Sequence, residues 1–395
     1  MSDFSCEVYR SFEELAPVAG EWDEFVERAG GDIFGTYDWL RTWWEFYGEG
    51  RQLEVALVRR GGRLAGILPF FRETKWLGVL PLRVVRLVGC DHSVTSANVV
   101  IEEGFETEVA EAWAAKRQED WDAIVLSPLP GYAKRTQETA KAFEAALTPA
   151  AVRYQANYGP HTVFELAGTF EEFLEKLPKN EKANYRRDLR LLKERHEVRT
   201  LLRTGPEEAA EAFERFVPLH QGVWEGKGRL GHFGDWPNGL EYHRKLVERM
   251  SGKGRAAIVE LTADGKVVAC EYCFRLGKFL VDFLTARDES EEYKRHGTGR
   301  ISLLEFVRYA IGQGWTRIDS LRGRYEYKVR LGGTMLSLKR ITVVRRTARA
   351  RLAMAAFSAA AWVLHTAYYK IWFARAARRL GVARPLWKVW IRSRF

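Results

Sequence analysis

A short segment around residue 297 has residue types suited to binding a phosphate group. Gly297 and Gly299 lie one residue apart, directly after a strand-like and loop run (residues 279–296) and directly before a helical pattern. The first N–H groups of such a helix have no partner within it, and together with the helix dipole they attract phosphate oxygens. The sequence therefore predicts an anion-binding turn that consists of Lys294, Arg295, Gly297, Thr298, Gly299 and Arg300.

A glycine-rich segment, residues 217–236, carries a second set of candidate ligand-binding side chains. Glycine at this density favours a loop that lies close to a ligand or changes shape. We interpret the segment as a substrate loop in which His220, Trp224 and Lys227 are candidate contacts. A flexible connection between two helices would have the same composition, and the sequence leaves both interpretations open.

Residues 179–195 predict an amphipathic helix with one basic stripe, which consists of Lys182, Arg186, Arg190 and Lys193. One interpretation is a solvated surface helix whose charges are offset by neighbouring carboxylates such as Glu181 and Asp188. The other is a basic surface for an anionic substrate, namely a lipid phosphate, a nucleotide or RNA.

Periodicity and turn residues predict the elements that position these segments. In the first half we expect helices at 37–47, 105–118 and 132–147, a hairpin at 53–71, and strands at 83–88 and 121–126. In the second half we expect a strand at 162–166, helices at 179–195 and 240–250, and antiparallel strands at 255–261, 266–276 and 278–285. Helices mixed with paired antiparallel strands predict an α+β, or mixed α/β, fold.

Length and charge indicate two domains and one basic appendage. A chain of 395 residues favours two domains, and 46% hydrophobic with 29% charged residues is a globular composition. The net charge of +10 is uneven, because residues 327–395 contain 16 Lys or Arg and no Asp or Glu. The preceding residues have 46 basic and 52 acidic side chains, a net charge of −6. This asymmetry argues against a body that binds DNA.

The four cysteines show no repeated pairing pattern, which favours a reducing, cytoplasmic compartment over a disulfide framework. Cys270 and Cys273 have the spacing of half a zinc site, but no second pair accompanies them, and a strand would turn them to opposite faces. We therefore expect no metal. We also expect no secretory signal, since residues 1–15 have neither a basic nor an apolar region.

The C-terminal segment, residues 345–395, combines arginines and tryptophans with an uncharged stretch of 18 residues at 352–369. Alanine is the commonest residue of this stretch, and Ser358, His365 and Thr366 lie within it, so it is a poor candidate for a membrane span. The pattern fits amphipathic helices at an anionic membrane surface, and hence a peripheral location at the inner face of the membrane. A terminal helix that packs across the two lobes is the competing interpretation.

The order of the predicted elements resembles that of the GNAT acetyltransferases, and more specifically the CelD-like (cellulose-biosynthesis-type) family, which is related to FemAB-like aminoacyl transferases. The resemblance covers about residues 1–340. It rests on FGTYDWLRTWWEFYG, RLAGILPFFRE, KANYRRDLRLLKE, LHQGVWEGKGRLGHF, DGKVVACEYCF and IDSLRGRYEYKVRLGG.

This resemblance implies tandem GNAT-like lobes: a non-catalytic lobe at 1–158, an acetyltransferase lobe at 159–344 and a basic helical tail at 345–395. It implies acyl-CoA as the co-substrate, bound in the register of Lys294, Gly297 and Gly299, with lysine where relatives usually have Gln or Arg. An amine that attacks a thioester must lose a proton, and the leaving thiolate needs a donor.

Asp319 or Glu326 is the candidate base, Tyr327 the candidate acid and Lys328 a candidate substrate contact. An alternative role for Asp319 is a structural pair with Arg322 or Arg324 in a turn. The expected function is transfer of an acetyl or longer acyl group from CoA to a small-molecule, sugar or peptide amine, in exopolysaccharide or cell-envelope biosynthesis. The alternatives are a transferase that uses aminoacyl-tRNA and a non-catalytic scaffold at the membrane.

Overall fold

The computed structural model describes residues 3–92, 96–117, 120–166, 168–226, 231–323, 325–376, 389 and 393–395. The chain divides into two compact units. The first unit comprises residues 1–159 and 337–395, and the second comprises residues 160–336.

The strands of the described residues, in chain order, are β1 (Phe4–Tyr9), β2 (Gln52–Arg60), β3 (Arg63–Lys75), β4 (Leu82–Leu87), β5 (Val100–Ile101), β6 (Ala123–Leu129), β7 (Ala150–Glu165), β8 (Val198–Arg203), β9 (Ala256–Ala263), β10 (Lys266–Leu276), β11 (Phe279–Arg287), β12 (Arg317–Arg322) and β13 (Thr334–Arg345). The α-helices are α1 (Ala19–Arg28), α2 (Tyr37–Tyr47), α3 (Glu106–Lys116), α4 (Thr136–Ala146), α5 (Phe170–Glu175), α6 (Lys179–Lys193), α7 (Pro206–Glu225), α8 (Gly231–Asp235), α9 (Gly239–Gly252), α10 (Glu291–Lys294), α11 (Thr298–Gly312), α12 (Glu326–Arg330) and α13 (Ala348–His365). A π-helical segment, Thr366–Ala376, follows α13.

The two units share one strand order. In the first unit β1, β2, β3 and β4 are successively antiparallel, and β4 then pairs in parallel with β6. In the second unit β8, β9, β10 and β11 are successively antiparallel, and β11 pairs in parallel with β12. In both cases helices follow the first strand, and a helix connects the two parallel strands. The chain is therefore a tandem repeat of one mixed α/β arrangement.

Helix α11 is fixed to its sheet by apolar residues at helical spacing. Leu304 and Val307 are fully buried and belong to a core that also contains Leu280 and Ile318 of the two parallel strands. Burying side chains of this size typically stabilises a fold by about 1.5–3 kcal/mol each. The packing holds the start of α11 in a fixed place beside the end of β11.

The parallel strands β11 and β12 separate soon after they meet. Their pairing covers only Phe279–Val281 against Arg317–Asp319. Further along, β11 carries an irregularity opposite Tyr272 and Cys273, and Leu321 of β12 has a left-handed backbone with φ 59°. A bulge of this kind bends a strand and re-aims its side chains. The separation creates a gap that side chains from both strands fill.

The sequence-based elements agree with the structure in type and differ in extent. The helix expected at 179–195 is α6, and the three strands expected at 255–285 are β9, β10 and β11. The segment 217–236 differs from the expected loop, because α7 continues through Pro218 to Glu225 and α8 begins at Gly231. Lys227 lies outside the described residues.

The C-terminal segment belongs to the first unit. Strand β13 pairs antiparallel with β6, and the compact second unit comprises residues 160–336. The domain boundaries expected from the sequence stay a prediction. Helix α13 buries Ala353 and Phe357 against β4 and β6, with Thr347 as its N-cap. Among the described helices, none is both long enough and apolar enough to cross a membrane.

Candidate functional site

Gly297 and Gly299 allow the start of α11 to lie close to neighbouring side chains. Gly297 is the N-cap and has a left-handed backbone with φ 59°. A Cβ atom there would lie 2.9 Å from an Asp188 oxygen, and a Cβ atom at Gly299 would lie 3.3 Å from Cδ of Arg287. Both positions therefore favour glycine, and the turn presents its backbone amides at the surface of a cavity.

This cavity has a volume of about 300 Å³ and lies entirely within the second unit. We call it the turn cavity. Six of the residues predicted from the sequence line it: Lys294, Gly297, Thr298, Gly299, Arg300 and Tyr327. Its lining also includes Glu271, Arg287 and Arg330, which the sequence analysis did not select. Arg295 does not line this cavity, and its Nε donates to Nε2 of His296 at 3.2 Å.

Thr298 supplies a donor that no protein group uses. Its side chain is buried, and its Oγ1 has no hydrogen-bond partner among the described residues. A buried polar atom without a partner is unfavourable, and such atoms are found where a ligand or water completes the bonding. Together with the first amides of α11, this hydroxyl forms a set of donors that fits the phosphate oxygens of an acyl-CoA.

The cations around the turn differ in how firmly they are held. Arg300 donates to Asp188 of α6 at 2.7 Å and lies 3.3 Å from Glu181, so two buried carboxylates hold it against α6. Lys294 is more than half exposed and lies 3.5 Å from Glu291. Arg287 pairs with Glu289 at the exposed end of β11. Exposed pairs of this type are weak, so Lys294 and Arg287 are free to reorient toward an anion.

Glu271, which lines the turn cavity, belongs to a buried pair of carboxyl groups. Its neighbour in the pair is Asp282 of β11, which is also buried and whose charge acts on Glu271 of β10. Glu271 accepts from Ser302 of α11 at 2.8 Å, while Asp282 accepts from Ser320 at 2.7 Å. One oxygen of each carboxyl group has no hydrogen-bond partner among the described residues. The negative charge of one buried carboxyl group disfavours ionisation of its neighbour.

The protonation of the pair follows from its surroundings. Burial, and then the negative charge of Asp282, raises the pKa of Glu271 well above its usual value. Lys328 of α12 donates to Asp282 at 3.0 Å and to the Ser320 carbonyl at 3.4 Å, in the gap between β11 and β12. Burial lowers the pKa of Lys328, but the neighbouring acidic groups, Asp282 first, together outweigh burial and raise this pKa. With Glu271 protonated, Asp282 ionised and Lys328 positive, the three groups have no net charge.

The predicted catalytic residues occupy three different environments. Tyr327 lines the turn cavity, and burial of its hydroxyl raises the pKa of Tyr327 to about 12, so it remains a proton donor at neutral pH. Glu326 is exposed at the start of α12 and does not line the cavity. Asp319 is buried, accepts from the Leu321 amide at 2.8 Å and lies 3.3 Å from His161. Lys328 is likewise buried and contacts Asp282.

The predicted substrate residues of α7 form part of an aromatic and histidine cluster. His220 is buried, and its Nδ1–H donates to the Thr285 carbonyl at 2.9 Å. Its Nε2 therefore accepts from Nδ1–H of His232 at 3.3 Å. Burial lowers the pKa of His220 to about 4 and that of His232 to about 3, so both are neutral at pH 7. Trp224 packs against both rings, and neither it nor His220 lines the turn cavity.

Comparison with protein families agrees with this geometry. Residues 179–329 match the model of the acetyltransferase (GNAT) domain. Residues 179–329 form a GNAT-type acetyltransferase domain. The matched residues contain the carboxyl pair, the parallel strands that separate and all of the turn-cavity lining except Arg330 and Leu331. A comparison with curated proteins gave no match.

Solved structures are similar to most of this chain at low sequence identity, and the two with TM-scores above 0.5 support a shared fold. FemX is 11% identical, with a TM-score of 0.57 over 82% of this chain and 95% of FemX. The C-terminal domain of a putative lysylphosphatidylglycerol synthetase from Agrobacterium fabrum is also 11% identical, with a TM-score of 0.51 over 86% of this chain and 96% of that domain. A tandem GNAT protein from the clavulanic acid biosynthesis pathway is 14% identical, with a TM-score of 0.43 over 86% of this chain and 98% of its own.

The expected mixed α/β fold with tandem GNAT-like units is confirmed. The acetyltransferase domain supports an acyltransferase as the general class of enzyme. The narrower assignment to the CelD-like family stays a prediction, and so do the roles of the individual site residues.

The sequence analysis missed the carboxyl pair although a signal for it was present. Glu271 and Asp282 are acidic residues within otherwise apolar strands that a tight turn at Gly277 connects. The register of that hairpin places Asp282 opposite Cys273, on the same face as Glu271. Two acidic residues on one face of a buried hairpin predict a shared site.

Proposed function

We propose that this protein is an acyl-CoA-dependent N-acyltransferase that moves an acetyl or longer acyl group directly from CoA to an amine. The observation that carries the proposal is that one cavity is lined both by a glycine turn with unused donors and by Glu271, a member of a buried carboxyl pair. The first feature suits the phosphates of the donor, and the second suits a proton transfer.

The donor is held mainly by groups that do not need to move. The amides of Thr298 and Gly299 and the Thr298 hydroxyl would donate to the phosphate oxygens, and Lys294 and Arg287 would add positive charge from the exposed side. Arg300 acts differently, because its pairs with Asp188 and Glu181 position the turn against α6. The bound thioester supplies the activated acyl group.

The carboxyl pair is the proposed proton acceptor. The acceptor is the form of the pair in which Glu271 has released its proton. Glu271, Asp282 and Lys328 then have a net charge of −1, and one proton brings the buried group to zero. Burial favours the uncharged state, which makes the deprotonated pair a stronger base than an exposed carboxylate. As the amine nitrogen bonds to the acyl carbon and the carbon–sulfur bond breaks, the nitrogen proton passes to this pair.

Tyr327 is the proposed donor to the departing sulfur. Its hydroxyl is protonated at neutral pH and its ring lines the same cavity. A proton that moves from the carboxyl pair to the tyrosinate restores both groups, so the net reaction moves one proton from nitrogen to sulfur. Lys328 acts as a positioning residue, because it fixes Asp282 in the gap between β11 and β12. Exopolysaccharide or cell-envelope precursors remain the proposed source of the amine.

The direct test is isothermal titration calorimetry of the full chain with acetyl-CoA and longer acyl-CoAs. We expect saturable binding that weakens in Thr298→Val, which keeps the shape of the side chain and removes its hydroxyl. Thr316→Val is a matched control, since Thr316 lies on the exposed end of the loop before β12. Absence of binding to every acyl-CoA would overturn the proposal.

A second candidate is a transferase whose acyl donor is an aminoacyl-tRNA. The outer face of α6 favours it, because Arg186, Arg190 and Lys193 line a groove of about 480 Å³ together with Arg308. Arg186 and Arg190 are 59% and 70% exposed, so both are accessible to a polyanion. Binding of tRNA should then weaken steeply with salt and weaken further in an Arg186→Gln/Arg190→Gln variant. Binding that ignores salt or both substitutions would remove this candidate.

A further inference from the structure

A second cavity, of about 590 Å³, lies in the first unit, between β7, β13, α13 and residues 393–395. We call it the tail cavity. One wall is apolar and includes Met354, Phe357 and Ala361 of α13. Trp362 of the same helix also lines it and is 67% exposed, which places this side chain at the mouth. The cavity therefore combines an apolar wall with an opening to the surface.

The opposite wall contains an arginine without an acidic partner. The Arg340 guanidinium lies 5.0 Å from the Tyr158 ring centroid and 5.4 Å from that of Phe395. Its Nε is buried and has no hydrogen-bond partner among the described residues. Burial lowers the pKa of Arg340, and none of the groups that offset this is a carboxylate. Arginine stays protonated in proteins, so this wall carries an uncompensated positive charge.

The remaining polar groups of the lining increase this positive charge. Arg153 and Arg394 also line the tail cavity, and among the residues that the structure describes no Asp or Glu side chain does so. His365 is neutral, because burial and then the charge of Arg394 lower its pKa. The main-chain oxygen of Phe395 accepts from the Tyr158 hydroxyl at 2.6 Å.

Further exposed apolar side chains lie near α13, outside the lining of the tail cavity. Trp76 and Val79, in the loop between β3 and β4, are 74% and 90% exposed. This loop packs on α13, because a Cβ atom at Gly78 would lie 2.9 Å from the Ala356 backbone. Leu352, one helical turn before Ala356, is 60% exposed. Exposed apolar side chains beside a basic segment are typical of surfaces that lie on anionic bilayers.

We propose that the tail cavity binds an anionic phospholipid. Its phosphate would pair with Arg340 and Arg153, and the first carbons of its acyl chains would lie along Met354, Phe357 and Trp362. A phospholipid satisfies both walls, whereas a free anion would leave the apolar wall exposed to water. The site would dock the first unit on an anionic membrane, and it is independent of the proposed acyl transfer.

The test is calorimetric titration of the full chain with soluble dihexanoyl-phosphatidylglycerol, dihexanoyl-phosphatidylcholine and inorganic phosphate. We expect the anionic lipid to bind at least about tenfold more tightly than either of the others, which is the effect of one charge-assisted hydrogen bond. Arg340→Gln should weaken that binding by about tenfold. Arg351→Gln, an exposed position on α13 outside the lining, removes the same charge and should change it little.

Ser358→Trp gives a second variant that leaves Arg340 in place and fills the mouth of the cavity, since Ser358 is exposed on its lining. It should abolish lipid binding without changing the circular dichroism spectrum. Equal affinity for the two lipids, equal losses in Arg340→Gln and Arg351→Gln, or full binding in Ser358→Trp would each overturn the proposal. Phosphate that binds as tightly as the lipid would also overturn it, because the apolar wall would then have no role.

Discussion

Replacing Glu271 with glutamine removes the titrating group from the buried carboxyl pair and preserves its shape. In the unfolded chain this carboxyl group ionises near its usual pKa of 4.5, while burial and then Asp282 raise the folded-state pKa of Glu271 well above that value. Between the two pKa values the folded state binds one more proton than the unfolded state. The free energy of unfolding therefore falls as the pH rises through this window, by about 1.4 kcal/mol per pH unit.

Glutamine at position 271 does not titrate, so Glu271→Gln lacks this pH dependence of the free energy of unfolding. The new amide can still donate a hydrogen bond to Asp282. The stability of the variant relative to the wild type should therefore increase by about 1.4 kcal/mol for each pH unit above 4.5, until the pH reaches the folded-state pKa of Glu271. Urea-induced unfolding of both proteins at about pH 5, 6 and 7 measures the difference directly.

Glu260→Gln is the matched control for this experiment. Glu260 is also a buried carboxylate in the same sheet, but it accepts from Arg203 at 2.9 Å and from Arg215 at 2.8 Å. Its replacement leaves two arginines without their partner, so it should destabilise the protein at every pH in the series. If the difference in free energy of unfolding between wild type and Glu271→Gln stays constant across the pH series, the description of Glu271 as the proton-holding member of the carboxyl pair is refuted.

Three further predictions concern the same domain. Glu271→Gln should lower kcat by about 10²- to 10⁴-fold, which is the usual contribution of a general base, with little change in the KM for acyl-CoA. A stopped assay of thiol release measures both constants. A normal kcat would place the base elsewhere. Gly297→Ala should destabilise the fold by about 1–2 kcal/mol, because residue 297 has a left-handed backbone and its new Cβ would meet Asp188. Gly312→Ala is the control and should not destabilise the fold, because a Cβ at this position of α11 would lie in open space. Equal melting temperatures of the two variants would contradict this prediction. As the pH falls from 6.5 to about 4, the wild type should lose stability, because His220 takes up a proton in the unfolded chain and not in the folded one. His220→Asn should lose less stability over this range. Thermal melts that give the same pH profile for both proteins would show that His220 titrates normally.

The elements that the sequence predicted well are those with strong periodicity and clear turns. Helix α6 has its apolar stripe at Tyr185, Leu189 and Leu192, and the strands β9 to β11 are bounded by Asp264-Gly265 and Gly277. The tail was harder to assign, because its long uncharged stretch fits both a membrane surface and a packed helix. Its packing depends on β13, whose partner β6 lies more than 200 residues earlier in the chain.

The candidate site was predicted in part, for a physical reason. The glycine turn is local, so Gly297, Thr298 and Gly299 could be read from consecutive residues, and all three line the turn cavity. The carboxyl pair depends on strand pairing and on burial, which no single segment specifies. For the segment 217–236, the glycines led to the prediction of a loop, although the sequence also has a helical pattern there. In the structure α7 continues to Glu225, and His220 is buried.

A crystal structure of the full chain with acetyl-CoA tests the central claim most directly. We expect the diphosphate of acetyl-CoA to lie within hydrogen-bond distance of the Thr298 and Gly299 amides and the Thr298 hydroxyl. We expect the thioester to be directed toward Glu271 and Tyr327. A donor bound away from this turn, or a thioester directed away from the Glu271–Asp282 pair, would contradict it.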